Sequence, residues 1–137
     1  MEPYSHRVHY YETDKMGCVH HSNYIRWMEE ARVELLDRLG IGFAMMEARG
    51  LTSPVVGIQC RYLRPTHFDE TVRIRVTVTE FKGVRLKIGY EMMNEAGNLV
   101  CTGSSEHCFT DENGKPIAIR QKYPDIDAVL REAVEIA

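Results

Sequence analysis

Residues 10–39 read Tyr-Tyr-Glu-Thr-Asp-Lys-Met-Gly-Cys-Val-His-His-Ser-Asn-Tyr-Ile-Arg-Trp-Met-Glu-Glu-Ala-Arg-Val-Glu-Leu-Leu-Asp-Arg-Leu. The character of the chain changes twice here: an aromatic start reads as the end of a strand, the polar middle as a loop, and the periodic apolar remainder as a helix. Asp14 and Gly17 lie in the loop. Ser22 or Asn23 offers a side-chain oxygen where the helix begins, so a carboxylate is delivered close to backbone N–H groups that no helical carbonyl can reach.

Outward from this stretch, apolar or small residues recur at Tyr24, Met28, Ala31, Leu35 and Leu39, joined by Ile25, Trp27 and Leu36, giving one wide apolar helical face. Arg7 to Tyr11 reads as a first strand. Gly40 is placed to end the helix, and Gly42 to Arg49 reads as a shorter helix stopped by Gly50. After Pro54 the period falls to two. Val56, Ile58, Cys60 and Tyr62 alternate with polar or small residues, and so do Val72, Ile74, Val76 and Val78. A turn at Lys82-Gly83 leads to Val84–Met92, a turn at Asn94–Asn98 leads to Leu99–Thr110, and Asp111-Glu112-Asn113-Gly114 is a hairpin signal before a short edge segment, Pro116–Ile119. A helix over Pro124–Ile136 closes the chain. The order predicts an α+β domain with an antiparallel sheet packed on one principal helix.

At 137 residues and 44% hydrophobic, the chain suits one globular domain spanning 1–137. Apolar runs are too short for a membrane span and no signal peptide is visible, so the expected compartment is the cytoplasm. Cys18, Cys60, Cys101 and Cys108 are scattered without a close CxxC pair, as reduced thiols would be. A net charge of −3 argues against a nucleic-acid binder that relies on phosphate attraction.

Thr13-Asp14-Lys15-Met16-Gly17-Cys18-Val19-His20-His21-Ser22-Asn23-Tyr24, with Arg-Tyr-Leu-Arg-Pro at 61–65, resembles the 4-hydroxybenzoyl-CoA thioesterase family of hotdog-fold acyl-CoA thioesterases, including its bacterial acyl-CoA thioester hydrolase branch. The likeness covers nearly the whole chain. It implies a hotdog fold, in which the antiparallel sheet wraps around one long central helix. It further implies hydrolysis of an acyl thioester to free acid and CoA, with Asp14 as the catalytic carboxylate, attacking the carbonyl or activating a water. The backbone N–H of His21 would polarise the thioester oxygen, and Gly17 would let the loop approach. The family's site forms between protomers, so a homodimer or homotetramer is expected. Lys15 and Met16 depart from the smaller residues of many relatives, which bears on the shape of the acyl pocket.

Thioester hydrolysis develops negative charge on the carbonyl oxygen, which N–H donors at a helix start are suited to stabilise. The bland reading of Asp14 is a turn or loop cap. Met16, His20, Asn23 and Tyr24 are candidate substrate contacts, Asn23 equally a cap and Tyr24 more readily a core residue than a pocket wall. Arg61, Arg64, Lys82 and Arg85 are available for the phosphates of CoA, although solvated strand faces explain them as well. Neither His20-His21 nor His6 with His9 has the i, i+4 spacing of a helical zinc site, so no metal and no cofactor is expected. Other readings are a thioesterase acting on acyl carrier protein and a non-catalytic acyl-thioester-binding module.

Overall fold

The computed structural model describes residues 2–136, with side chains through 134. The periodic stretch forms a 17-residue helix, α1 (Ser22–Arg38), which buries Tyr24, Trp27, Met28, Ala31, Leu35 and Leu36. Strands β1 (Tyr4–Arg7), β2 (Val55–Tyr62), β3 (Thr71–Phe81), β4 (Arg85–Met93) and β5 (Leu99–Cys108) make one antiparallel sheet in the order β1-β3-β4-β5-β2. Two further helices, α2 (Phe43–Ala48) and α3 (Pro124–Ile136), complete the element order. Helix α3 lies against β3, with Ile126 and Leu130 fully buried and the Arg131 guanidinium 5.3 Å from the Phe81 ring centre. The helical layer is thus shared, where one principal helix was expected. Among the described residues no helix is long and apolar enough to cross a membrane.

Alternation decides which sheet face is covered. Leu86, Ile88, Tyr90 and Met92 of β4 are buried, and their register partners on β5 are His107, Ser105, Gly103 and Cys101. Gly103 lets α1 come close: a Cβ there would stand 1.9 Å from Met28 Cε and 2.8 Å from the Gln59 carbonyl oxygen. On the edge strand β2 the alternation is not matched by burial, because Val55 and Val56 remain 44% and 51% exposed beside a register shift between Val55 and Gly57.

Three expectations need correction. The first strand ends at Arg7, and residues 10–12 form a 3-10 turn that leaves Tyr10 and Tyr11 exposed. The buried Glu12 side chain takes the His9 N–H at 2.7 Å and bends the chain away from the sheet. The segment 116–119 is not a strand. Pro116 has no N–H to extend a ladder, so pairing stops at the Thr110–Pro116 bridge and the Ile117 N–H bond to Phe109. The start of α1 is capped neither by Ser22 nor by Asn23. Instead the Ser22 N–H donates to His20 Nδ1 at 3.2 Å, and the Asn23 amide donates to the Glu12 carbonyl at 2.9 Å.

A polar seam runs through the covered face. Arg32 Nη1 donates to the Tyr90 hydroxyl (3.0 Å), which adjoins Ser105 Oγ (2.7 Å), which in turn adjoins His107 Nε2 (2.7 Å). A guanidinium can only donate, so the Tyr90 hydroxyl accepts from Arg32, and either hydroxyl can donate in the Tyr90–Ser105 pair. Arg32 is 6% exposed, and its Nε lacks a partner among the described residues. Burial, and next the Arg32 charge, push His107 down to about 4 from its usual 6.5, against a backbone hydrogen bond at Ser53. The unfolded chain therefore binds the extra proton first as pH falls. Stability from this group is complete above pH 6.5 and is lost on acidification toward pH 4, a difference on the order of 3 kcal/mol. Urea unfolding of wild type and His107→Gln between pH 7 and 4 should show the steeper decline in wild type; parallel profiles would contradict it.

Candidate active site

The loop carrying Asp14 is fixed at both ends. Thr13 bridges Val19, the Asp14 N–H donates to the Cys18 carbonyl (2.9 Å), and the Gly17 N–H donates to the Asp14 carbonyl (3.0 Å). Gly17 has φ +81°, a left-handed conformation that glycine adopts at no steric cost. Asp14 Oδ1 accepts the Met16 N–H at 2.9 Å and lies 3.8 Å from Cys18 Sγ, so one carboxylate oxygen serves as a turn cap. No donor among the described residues engages Oδ2. The side chain is half-buried.

Helical geometry begins one residue early. His21 already has φ −55° and ψ −28°, while the His20 and His21 carbonyls accept the N–H groups of Asn23 and Tyr24. The His21 N–H has no acceptor among the described residues. His21 opens onto a groove of about 330 Å³ that it shares with Cys18, Val19, Tyr24, Tyr62 and Arg64. Cys18 connects the parts: its thiol touches the Asp14 carboxylate, and the same residue lines the groove. Opposite, the Tyr62 hydroxyl donates to the His21 carbonyl at 3.2 Å.

The residues singled out in the sequence separate here into groups. Asp14, Gly17, His20, His21, Asn23, Tyr24 and Arg64 cluster around the start of α1. Tyr24 is 3% exposed, its hydroxyl is bonded to Thr66 Oγ1 at 2.7 Å, and burial raises its phenol above the ordinary value despite that bond. Asn23 is buried, with its amide turned toward Glu12. Met16 is 83% exposed at the loop tip. Arg61 lies opposite Thr102 and Arg85 opposite Cys108, six positions or about 20 Å along β5, so the expected cations do not form one patch within the chain. Lys82 and Arg85 stand at the far end, paired with Glu80 (2.9 Å) and Glu106 (3.6 Å).

Glu12 went unnoticed in the sequence, and it organises the region. Its carboxylate accepts from His9 N–H (2.7 Å), His6 Nε2 (2.9 Å) and Trp27 Nε1 (2.7 Å), while its carbonyl accepts from His20 N–H and the Asn23 amide. Burial opposes its ionisation, but the hydrogen bonds from His9, His6 and Trp27 prevail and hold the carboxyl below its usual value. The sequence cue was a lone charge inside an aromatic run. His6, His9 and Glu12 also bring possible metal-ligating atoms within 4.8 Å of one another, with both Glu12 oxygens already taken by the hydrogen bonds above.

An antiparallel sheet in this order, with a helix opening beside a glycine-turned acidic loop, is the architecture of the hotdog thioesterases. The sequence profile of the thioesterase-like superfamily matches residues 8–134, and the chain belongs to that family. The Bacillus subtilis protein YneP, provisionally named an acyl-CoA thioesterase, is 40% identical over 127 residues, 92% of each chain. The 1,4-dihydroxy-2-naphthoyl-CoA hydrolase of Thermosynechococcus vestitus is 27% identical over 100% of this chain and 93% of its own. The DHNA-CoA thioesterase of Staphylococcus aureus superposes with a TM-score of 0.94 at 32% identity, covering 98% of this chain and 91% of that one.

A hub of this kind predicts its own deletion phenotype. Glu12→Ala should destabilise the fold by about 3 kcal/mol, because it strands three donors, two of them on the buried His6 and Trp27 side chains. In wild type the stability owed to this lowered carboxyl is present above about pH 4.5 and lost below it. Denaturant titrations at pH 7 and pH 3.5 check both statements: a variant as stable as wild type at pH 7 removes the hub.

Proposed function

We propose that the chain is an acyl-CoA thioesterase that hydrolyses an acyl thioester to free acid and CoA, with Asp14 as the catalytic carboxylate and the His21 N–H as the donor to the carbonyl oxygen. The observation that carries this reading is the His21 N–H without an acceptor at the mouth of a groove whose wall residue, Cys18, touches the Asp14 carboxylate. As the carbonyl carbon becomes tetrahedral, charge builds on its oxygen, where a fixed N–H at a helix start is worth most. Asp14 supplies either the attacking oxygen or the base for a water; in both routes the C–S bond breaks and the thiolate leaves to be protonated. Gly17 keeps the loop tight. His20 caps the helix and Asn23 holds it to Glu12, so both act on position.

Groove walls made by Tyr24, Tyr62 and His21 favour a flat aromatic acyl group, in keeping with the 1,4-dihydroxy-2-naphthoyl-CoA in the name of the Thermosynechococcus relative. Arg64 at the rim, with Arg61 near the end of β2, is the better candidate for CoA phosphate; Lys82 and Arg85 already face carboxylates. The exposed edge of β2, with Val55 and Val56 uncovered, is where a second copy would complete the site in a homodimer or homotetramer, α1 being the helix that the paired sheets enclose. The chain then acts as one domain, without cofactor or nucleic acid.

Thiol release from a panel of aromatic and saturated acyl-CoAs, with matched acyl carrier protein thioesters, tests the assignment. Aromatic acyl-CoAs should lead by roughly tenfold or more in kcat/KM. Asp14→Asn should lose about 10²-fold or more in kcat while keeping the wild-type unfolding midpoint, His21→Ala should lose less because only its N–H is used, and Arg64→Glu should raise KM. Near-native turnover by Asp14→Asn refutes the assignment. Thioester binding without thiol release would instead identify a binding module. Light scattering at assay concentration should give a dimer or larger; a fully active monomer excludes the shared site.

A further inference from the structure

We propose that Cys60 and Cys101 form a peroxide-reactive thiol pair, in which Cys60 is oxidised and Cys101 resolves it as an intrachain disulfide between β2 and β5. The two residues are 41 positions apart in the sequence, and nothing in their spacing pairs them. The register does: Cys60 lies opposite Gly103 and Tyr62 opposite Cys101, so the cysteines are diagonal neighbours on one face of adjacent strands, with Sγ atoms 3.3 Å apart. Both thiols are free. A disulfide needs the two sulfurs about 1.3 Å closer.

The partners are unequal in the way such a pair requires. Cys60 is half-buried on the edge strand, whereas Cys101 is fully buried. With Cys60 as the ionised partner the Cys101 S–H is the donor between the two sulfurs, and this bond outweighs burial and brings the Cys60 thiol down to about 7. The same bond, with burial, pushes Cys101 up. Cys60 is therefore the thiol of the pair that ionises first, about half of it thiolate at pH 7, and Cys101 carries the proton that the second step releases.

The steps balance. The Cys60 thiolate attacks one oxygen of hydrogen peroxide: an S–O bond forms, the O–O bond breaks, and the departing hydroxide takes a proton to leave as water. Cys101 then attacks the sulfur of the resulting sulfenic acid. An S–S bond forms, the S–O bond breaks, and hydroxide leaves with the Cys101 proton as a second water. Two thiols lose two electrons to one peroxide. Cys18 and Cys108 serve as internal references, since neither has a sulfur partner among the described residues.

The experiment reads thiols and needs no thioester turnover, so it stands or falls apart from the proposed activity. Reduced protein is treated with hydrogen peroxide at pH 7, quenched with a thiol-blocking reagent, digested and mapped by mass spectrometry. Cys60 should disappear several-fold faster than Cys18 or Cys108, and a Cys60–Cys101 peptide should accumulate that dithiothreitol reverses. In Cys101→Ser, Cys60 should stop at a sulfenic acid that dimedone traps. In Cys60→Ser, Cys101 should stay reduced. Oxidation of Cys60 no faster than the references, or its passage to sulfonic acid in wild type without the linked peptide, overturns the proposal.

Discussion

A buried carboxylate is costly unless donors replace the water it has lost, and Glu12 is where this chain meets that demand. Its donors come from three places: His6 at the end of β1, His9 in the turn and Trp27 on α1. One side chain thus holds strand, turn and helix at fixed mutual distances. Its carbonyl adds the His20 N–H and the Asn23 amide, which sets where α1 begins. Asp14 is two residues further along. Its loop has little freedom left, because both of its ends are anchored to the same hub.

The covered face of the sheet is organised along one stripe of α1. Met28 sits on the bare backbone of Gly103, and Arg32, one turn later, reaches Tyr90 and through it Ser105. The paired strands β5 and β4 therefore receive an apolar contact and a cation within one helical turn. A shift of α1 by a turn would set Arg32 against Gly103 and strand the hydroxyls of Tyr90 and Ser105, so the polar seam selects one packing among several that apolar burial alone would allow. Burial, and next the charge of Arg32, which pairs with no carboxylate among the described ion pairs, keep His107 neutral.

Periodicity makes most of the fold legible in the sequence. The span of α1 and the two hairpins joining β3, β4 and β5 follow from spacing and from turn residues, which act locally. What was illegible depended on distant partners. The aromatic run at Tyr10-Tyr11 has strand propensity, yet a carboxylate one residue later captures the His9 N–H and turns the chain. Ser22 and Asn23 have the composition of caps, but the His20 ring takes that place. Arg32 lies among charged residues of α1 in the sequence and is buried in the fold. The cations of β2 and of the β3–β4 turn looked like one group until the register put them at opposite ends of β5. In the candidate site the acidic loop, its glycine and the helix start could be found from their order, whereas the groove needed Tyr62 and Arg64, brought in by the pairing of β2 with β5.

The division of cations bears on how an anionic carrier would approach. Lys82, Lys87 and Arg85 face Glu80 and Glu106 across an exposed sheet surface, where such pairs contribute little stability but cancel much of the local field. No comparable carboxylate pairs with Arg61 or Arg64 among the described ion pairs, so the positive potential survives at the end of the sheet that borders the groove. Phosphates drawn there would leave the acyl end of an extended thioester nearest the start of α1. Asp14, tethered through one oxygen to the Met16 N–H, has already given up the rotation that a free carboxylate would lose on meeting a carbonyl. In the proposed reaction the turn cap and the catalytic group are then the same residue, and the hydrogen bond that first reads as ordinary loop chemistry restricts how the second oxygen can turn.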